Sequence, residues 1–251
     1  MLLNIAADVA KLSLFIVCAY MLVGAYARRR RPRWTKHLTQ RRMAVVGMLT
    51  LAVTGIKLIE DVVAKESGPV DEAVLWFFRD HVPEQLNGLV AAVTLSGSAI
   101  FLVPAAVIIA GALLVSRRRF EALLVGTSLI TASVIVWAMK AIVDRARPAL
   151  WDAQWYWGSS FPSGHTLATA AFATAAALCV ARIWPRAGTL AMALAVLWTG
   201  MVAVSRLVLG AHWPSDVLAA LCLGAFIPLL ISVAFDRPSC QAGTSVKAAL
   251  D

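Results

Sequence analysis

Several apolar stretches in this chain exceed the roughly 18–20 residues that a helix needs to cross about 30 Å of hydrocarbon. No other feature restricts the fold as much. Lipid offers no water to satisfy backbone N–H and C=O groups, so a spanning segment must be a helix or a strand of a closed barrel. Barrel strands are short and alternate in polarity, whereas these runs are long and continuously apolar. The expected fold is therefore all-α, a polytopic transmembrane helical bundle of about six to seven spans. Composition agrees: hydrophobic residues make up 60% of the 251 positions, against about 45–50% in an average soluble domain.

Seven apolar segments can be drawn, near residues 5–26, 43–64, 86–115, 120–141, 164–182, 188–206 and 214–235. The third is long for one upright span, which predicts tilt or an interfacial first turn, with Pro104 as a possible kink. Eight basic residues lie between Arg28 and Arg42, and Arg117, Arg118 and Arg119 form a second group. Both groups adjoin apolar runs, so the net charge of +9 reads as juxtamembrane anchoring and not as nucleic-acid binding. The loop 65–85 instead carries Glu66, Asp71, Glu72, Asp80 and Glu84 against Lys65 and Arg79. The bias predicts a multi-pass chain with the N-terminus outside and the C-terminus inside; the expected location is a bacterial inner membrane. The first run should stay in the membrane, because its basic block follows it where a cleavable signal would have one in front. Three regions result: 1–85 with N-terminal spans, a basic loop and an outer segment; 86–235 as a helical core; and 236–251 as a cytoplasmic tail. Within the first, residues 68–84 read as an amphipathic helix on the outer surface. Trp151, Trp155, Tyr156 and Trp157 read as interfacial anchors, with direct contact to a lipid substrate as the alternative. Cys18, Cys179 and Cys222 read as small buried apolar side chains, and no spacing suggests a disulfide framework or a metal cage.

Against this apolar background three polar segments stand out: Lys140 to Pro148, Pro162 to His165, and Ser205-Arg206 followed by His212 and Asp216. The orientation places all three at one membrane face, so they could share a site. A transferring phosphoryl group is stabilised chiefly by positioning and by cations around its oxygens. Lys140 and Arg147 are seven apart, nearly two helical turns, and Pro148 predicts that the helix ends before Arg147. Taken alone, each is more simply a snorkelling anchor. Ser163 at a helix start is equally a cap or, with Gly164, part of an N-terminal anion cradle of free N–H groups. His165 would sit in the first turn, placed to protonate a leaving group. His212 and Asp216 are one turn apart, which suits either a structural pair or a carboxylate that sets the imidazole tautomer. His37 and His81, in charged loops, read as solvated. Asp144 and Arg145 read as a local ion pair shaping their loop.

These residues resemble the type 2 phosphatidic-acid phosphatase superfamily, whose signature is KxxxxxxRP, PSGH and SRxxxxxHxxxD. Every fixed position is matched, by Lys140, Arg147 and Pro148, by Pro162 to His165, and by Ser205, Arg206, His212 and Asp216. The resemblance covers 140–216 and implies that His212 is the nucleophile, forming a phosphohistidine, with Asp216 orienting it. It implies that His165 is the general acid and that Lys140, Arg147, Ser163, Gly164 and Arg206 bind the phosphoryl oxygens. No metal and no cofactor is implied. The expected activity is hydrolysis of a lipid phosphate or diphosphate at the outer face, with undecaprenyl diphosphate favoured as substrate. The expected partners are that lipid and the bilayer. A phosphotransferase passing the group to another lipid, or a non-enzymatic anion-binding transporter, are the alternatives.

Overall fold

A computed structural model describes residues 42–151 and 158–235, together with helical positions 17, 18, 20–22 and 25 of the first apolar run. Eight helices follow in the two long stretches: α1 (Arg42–Val63), α2 (Gly68–His81), α3 (Asn87–Ser96), α4 (Ala99–Val115), α5 (Arg119–Val143), α6 (Gly164–Ile183), α7 (Gly188–Val208) and α8 (Pro214–Phe235). Short 3₁₀ turns at Glu84–Leu86 and Pro185–Ala187 lead into α3 and α7.

α6 is the axis of the bundle. Of its apolar window 61% is buried, against 28% for α5, 22% for α7 and 39% for α8, all of which pack on it. Its Ala-rich sequence explains the position, since small side chains let neighbouring backbones approach closely in lipid. Two glycines facing it show how closely: a Cβ at Gly224 of α8 would fall 2.5 Å from the Leu167 carbonyl, and one at Gly97 2.7 Å from Thr169 Oγ1. The outer helices turn Val107, Ile108, Ile130, Trp137, Leu194 and Val196 outward. In water these would be liabilities, but on a spanning helix they are the lipid-facing surface.

Among the described residues four helices are long and apolar enough to span, α5, α6, α7 with its leading turn, and α8. A fifth span is possible if the bent pair α3–α4 is counted as one. α1, the second predicted segment, is long enough, but Lys57, Glu60 and Asp61 occupy its last turns, with Lys57 Nζ 2.9 Å from Asp61 Oδ1. Most of the first predicted segment lies outside the described residues. The third is corrected: it is no single tilted helix but two, bent by 42°. The break falls at Gly97–Ser98, where the chain squeezes past Val202 and Thr169, while Pro104 sits inside an unbroken α4. Cys179 is buried and Cys222 half-buried, but Cys18 is exposed, contrary to expectation.

The predicted amphipathic segment is α2. Leu75 is fully buried against Ala203, Leu207 and Val217, while Trp76 and Phe77 point outward. α2 thus lies across the ends of α7 and α8, covering them from one side.

Candidate active site

Where α5 stops, Asp144 takes a left-handed conformation (φ +40°) and turns the chain out of the helix. Pro148 then keeps Arg147 out of helical geometry. On the other side, Gly210 (φ +61°) ends α7 with a Schellman turn: its N–H bonds the Leu207 carbonyl and Ala211 N–H bonds that of Arg206. Only glycine adopts this φ without a Cβ penalty, and the reversal carries His212 back over the end of the bundle. Between these turns Ser159 and Ser160 run up to α6. All three polar segments meet at this one end.

His212 is 2% exposed. Its Nδ1 lies 2.7 Å from the Ser160 carbonyl and 3.7 Å from Asp216 Oδ2. A carbonyl can only accept, so Nδ1 carries the proton and Nε2 presents a lone pair. The Ser160 carbonyl is therefore the direct partner; Asp216 is too far for a hydrogen bond and acts by its charge and by what it holds. Asp216 Oδ2 accepts from Ser160 Oγ and, at 2.9 Å, from Trp213 N–H, so it ties together the residues on either side of the imidazole. Burial, with the Arg206 and Arg147 charges adding to it and Asp216 opposing, holds the His212 imidazole down to about 4. At neutral pH it is uncharged.

Arg147 is the cation placed against Nε2. Arg147 Nη1 is 3.4 Å from it and 2.7 Å from the Ala211 carbonyl, while Arg147 Nε donates to Gly158 O at 3.0 Å. Lys140 Nζ donates to Ser159 O at 2.8 Å. Arg206 is buried at the end of α7, and Arg206, His212, Lys140 and Arg147 all act electrostatically on His165. His165 is half-buried in the first turn of α6. Ser163 occupies the N-cap position, but its hydroxyl bonds Thr166 Oγ1 at 3.0 Å instead of a backbone N–H. The first N–H groups of α6, with Gly164 and His165 among them, have no intrahelical acceptor by the geometry of any helix start, which suits an anion there. Gly164 also packs on α5, since a Cβ would touch Val136 at 3.4 Å.

The structure thus assembles all eight residues singled out in the sequence, and it adds four others. Ser160 supplies the His212 acceptor. Arg145 does not form the expected local pair with Asp144, which the left-handed turn directs elsewhere. Its Nη1 meets Asp216 Oδ1 at 2.6 Å and its Nη2 meets Asp71 Oδ2 at 2.7 Å. Asp71 also accepts from Ser215 N–H at 2.8 Å and from Ser215 Oγ at 2.7 Å. Asp71 had one sequence signal: it sits four residues before Leu75, on the apolar stripe of an amphipathic helix. His81 is exposed, as expected, with Nδ1 2.8 Å from Phe77 O; His37, Trp155, Tyr156 and Trp157 lie outside the described residues. Trp151 meets Trp76 of α2 at 5.6 Å between ring centres, so it packs against protein and not only at an interface. Among the described residues no group of acidic, histidine and cysteine side chains could hold a metal ion.

Residues 121–239 match the model of the PAP2 superfamily. A stretch of 63 residues is 46% identical to phosphatidylglycerophosphatase B of Escherichia coli (strain K12), covering 25% of this chain and 24% of that protein. Over 125 residues the chain is 34% identical to decaprenylphosphoryl-5-phosphoribose phosphatase of Mycobacterium tuberculosis, covering 48% of this chain and 65% of the other. The matches therefore span less than two thirds of these relatives' own length. The crystal structure of a transmembrane PAP2-type phosphatidylglycerolphosphate phosphatase from Bacillus subtilis superposes with a TM-score of 0.69 at 23% identity, covering 76% of this chain and 98% of that one. That likeness establishes a shared fold.

Proposed function

Residues 121–239 belong to the PAP2 superfamily, and on that premise we propose that this chain is a membrane lipid phosphatase working through His212. The observation that carries the reading is the His212 ring geometry, with Nδ1–H given to the Ser160 carbonyl and the Nε2 lone pair facing Arg147 Nη1 at 3.4 Å. The Nε2 lone pair attacks phosphorus as the bond from phosphorus to the lipid oxygen breaks. His165 gives its proton to that departing oxygen. Water then attacks the phosphohistidine, His165 takes up a proton from it, the N–P bond breaks, and inorganic phosphate leaves with His212 restored. Lys140, Arg147, Ser163, Gly164 and Arg206 hold the phosphoryl oxygens, and preorganised donors of this kind are worth several kcal/mol at a developing charge. Asp216 orients His212 through Ser160 and Trp213.

Arg117, Arg118 and Arg119, at the opposite end of α5 from Lys140, support a site on the outer face of a bacterial inner membrane. Within the chain, 86–235 forms the catalytic core, 1–85 the N-terminal spans and outer segment, and 236–251 a cytoplasmic tail. Substrate is a membrane lipid bearing a phosphate or diphosphate. The prenyl-linked relative favours a polyprenyl carrier, with undecaprenyl diphosphate as the compound to try first. The test is phosphate release by the purified protein in detergent across a panel of lipid phosphates. His212→Ala should lower release by about 10⁴-fold or more while the protein stays inserted. Undiminished release from that variant would overturn the nucleophile, and label passing from donor to a second lipid would replace hydrolysis by transfer.

A further inference from the structure

We infer that Asp71, on the outer helix α2, is a positioning residue for His212 and acts through Arg145 and the first turn of α8. The inference rests on the proposed role of His212, but Asp71 lies 50 residues before the start of the matched superfamily segment. Its carboxylate is 2% exposed and makes three bonds, to Ser215 N–H, Ser215 Oγ and Arg145 Nη2. The first of these supplies, from another helix, an acceptor for one of the N–H groups that a helix start leaves without an intrahelical partner. A carboxylate there is also favoured by the helix dipole. Asp71 therefore fixes the turn of α8 that carries Asp216.

Arg145 completes the link. One edge of its guanidinium is held by Asp71 and the other by Asp216, with Nη1 also 2.8 Å from Ser215 Oγ. The planar fork cannot turn without breaking a charged bond at one end. Asp216 in turn holds Ser160 Oγ and Trp213 N–H, and Ser160 carries the carbonyl that receives His212 Nδ1–H. A chain of charged and short polar contacts thus runs from α2 to the imidazole. The Arg145 guanidinium sits between two carboxylates, so it orients the site and does not grip phosphate.

Asp71→Asn is the discriminating variant. It keeps the shape, but in either flip its NH₂ opposes a donor, Ser215 N–H or Arg145 Nη2. Two readouts on detergent-purified full-length protein test it. The imidazole ¹⁵N shifts of His212, assigned by comparison with His212→Ala, report the tautomer whether or not any lipid is turned over. Wild type should show the Nδ1–H form alone and Asp71→Asn a mixture, with Asp71→Glu closer to wild type. In the lipid phosphate assay Asp71→Asn should lower kcat about tenfold or more with KM changed less than about threefold. An unchanged His212 spectrum in Asp71→Asn, or a rise in KM alone, would overturn the inference. If wild type turns over no lipid phosphate yet the spectra change as described, the lipid phosphatase reading fails and the positioning role stands. Should Asp71→Asn not insert, Arg145→Lys is measured in its place. Lysine keeps the charge but cannot bridge both carboxylates as a planar fork, so the same mixture is expected, and an unchanged tautomer overturns the inference.

Discussion

At the C-terminal end of α6, Arg182 Nε meets Glu121 Oε1 at 3.2 Å, and its guanidinium lies 4.5 Å from the Phe120 ring centre. At the N-terminal end, Arg147 is held by the carbonyls of Gly158 and Ala211, with Nη1 3.4 Å from His212 Nε2. The same helix thus ends in two arginine sites built on different plans. A carboxylate fixes a guanidinium and offsets its charge together, which suits a helix–helix lock. At the other end the Gly158 and Ala211 carbonyls help fix the direction of the Arg147 guanidinium beside Nε2. The contrast lies in what each guanidinium faces: an acidic side chain at one end of α6 and an imidazole nitrogen at the other.

That contrast can be broken most sharply at Arg147. Arg147→Ala should cut phosphate release by roughly 10²–10³-fold, the scale for losing one donor to a transition-state oxyanion; a loss under about tenfold would put Arg147 on the same footing as Arg182. The next effect concerns pH. Because the folded site lowers the His212 imidazole to about 4, Nε2 keeps its lone pair down to that pH, and protonation removes it below. The acid limb of kcat/KM, corrected for the second ionisation of a phosphate monoester near about 6, should therefore have its midpoint near 4 and not near the ordinary histidine value. A midpoint at the ordinary value would show that burial and the two guanidiniums do not govern this ring. A smaller effect is expected for Ser160→Ala. It loses the hydroxyl bond to Asp216 and keeps the carbonyl, so kcat should fall about tenfold, with the net worth of one charge-assisted bond; steady-state assays of the inserted protein check this. Smallest of all, Arg182→Met should change activity less than about threefold. It should cost at most about 1 kcal/mol in thermal or denaturant unfolding, as a partly exposed ion pair does.

The helices were legible in the sequence because lipid enforces length and apolarity together, and α5 to α8 follow the predicted segments closely. The candidate site residues stood out for another reason: a glycine turn, a proline after arginine and two histidines at one predicted face are rare inside apolar sequence. What escaped were features decided by contact across the chain. The break at Gly97–Ser98 is set by Val202 and Thr169, which lie far along the sequence, so attention to Pro104 missed it. Arg145 looked like the partner of its neighbour Asp144, since nothing local discloses carboxylates at 71 and 216. Ser160 escaped because its decisive atom is a main-chain oxygen, which every residue possesses.

That last point bears on how the site withstands change. A side-chain acceptor for His212 could be deleted by a single codon. The Ser160 carbonyl remains whatever residue is encoded at 160, so a change there acts by loss of the hydroxyl bond to Asp216 and not by deletion of the acceptor. The genetic weak points of the site are then displaced outward, to the glycine at 210, the aspartates at 71 and 216 and the arginine at 145. Random mutagenesis scored by activity should find milder lesions for Ser160→Ala than for non-conservative changes at those four positions.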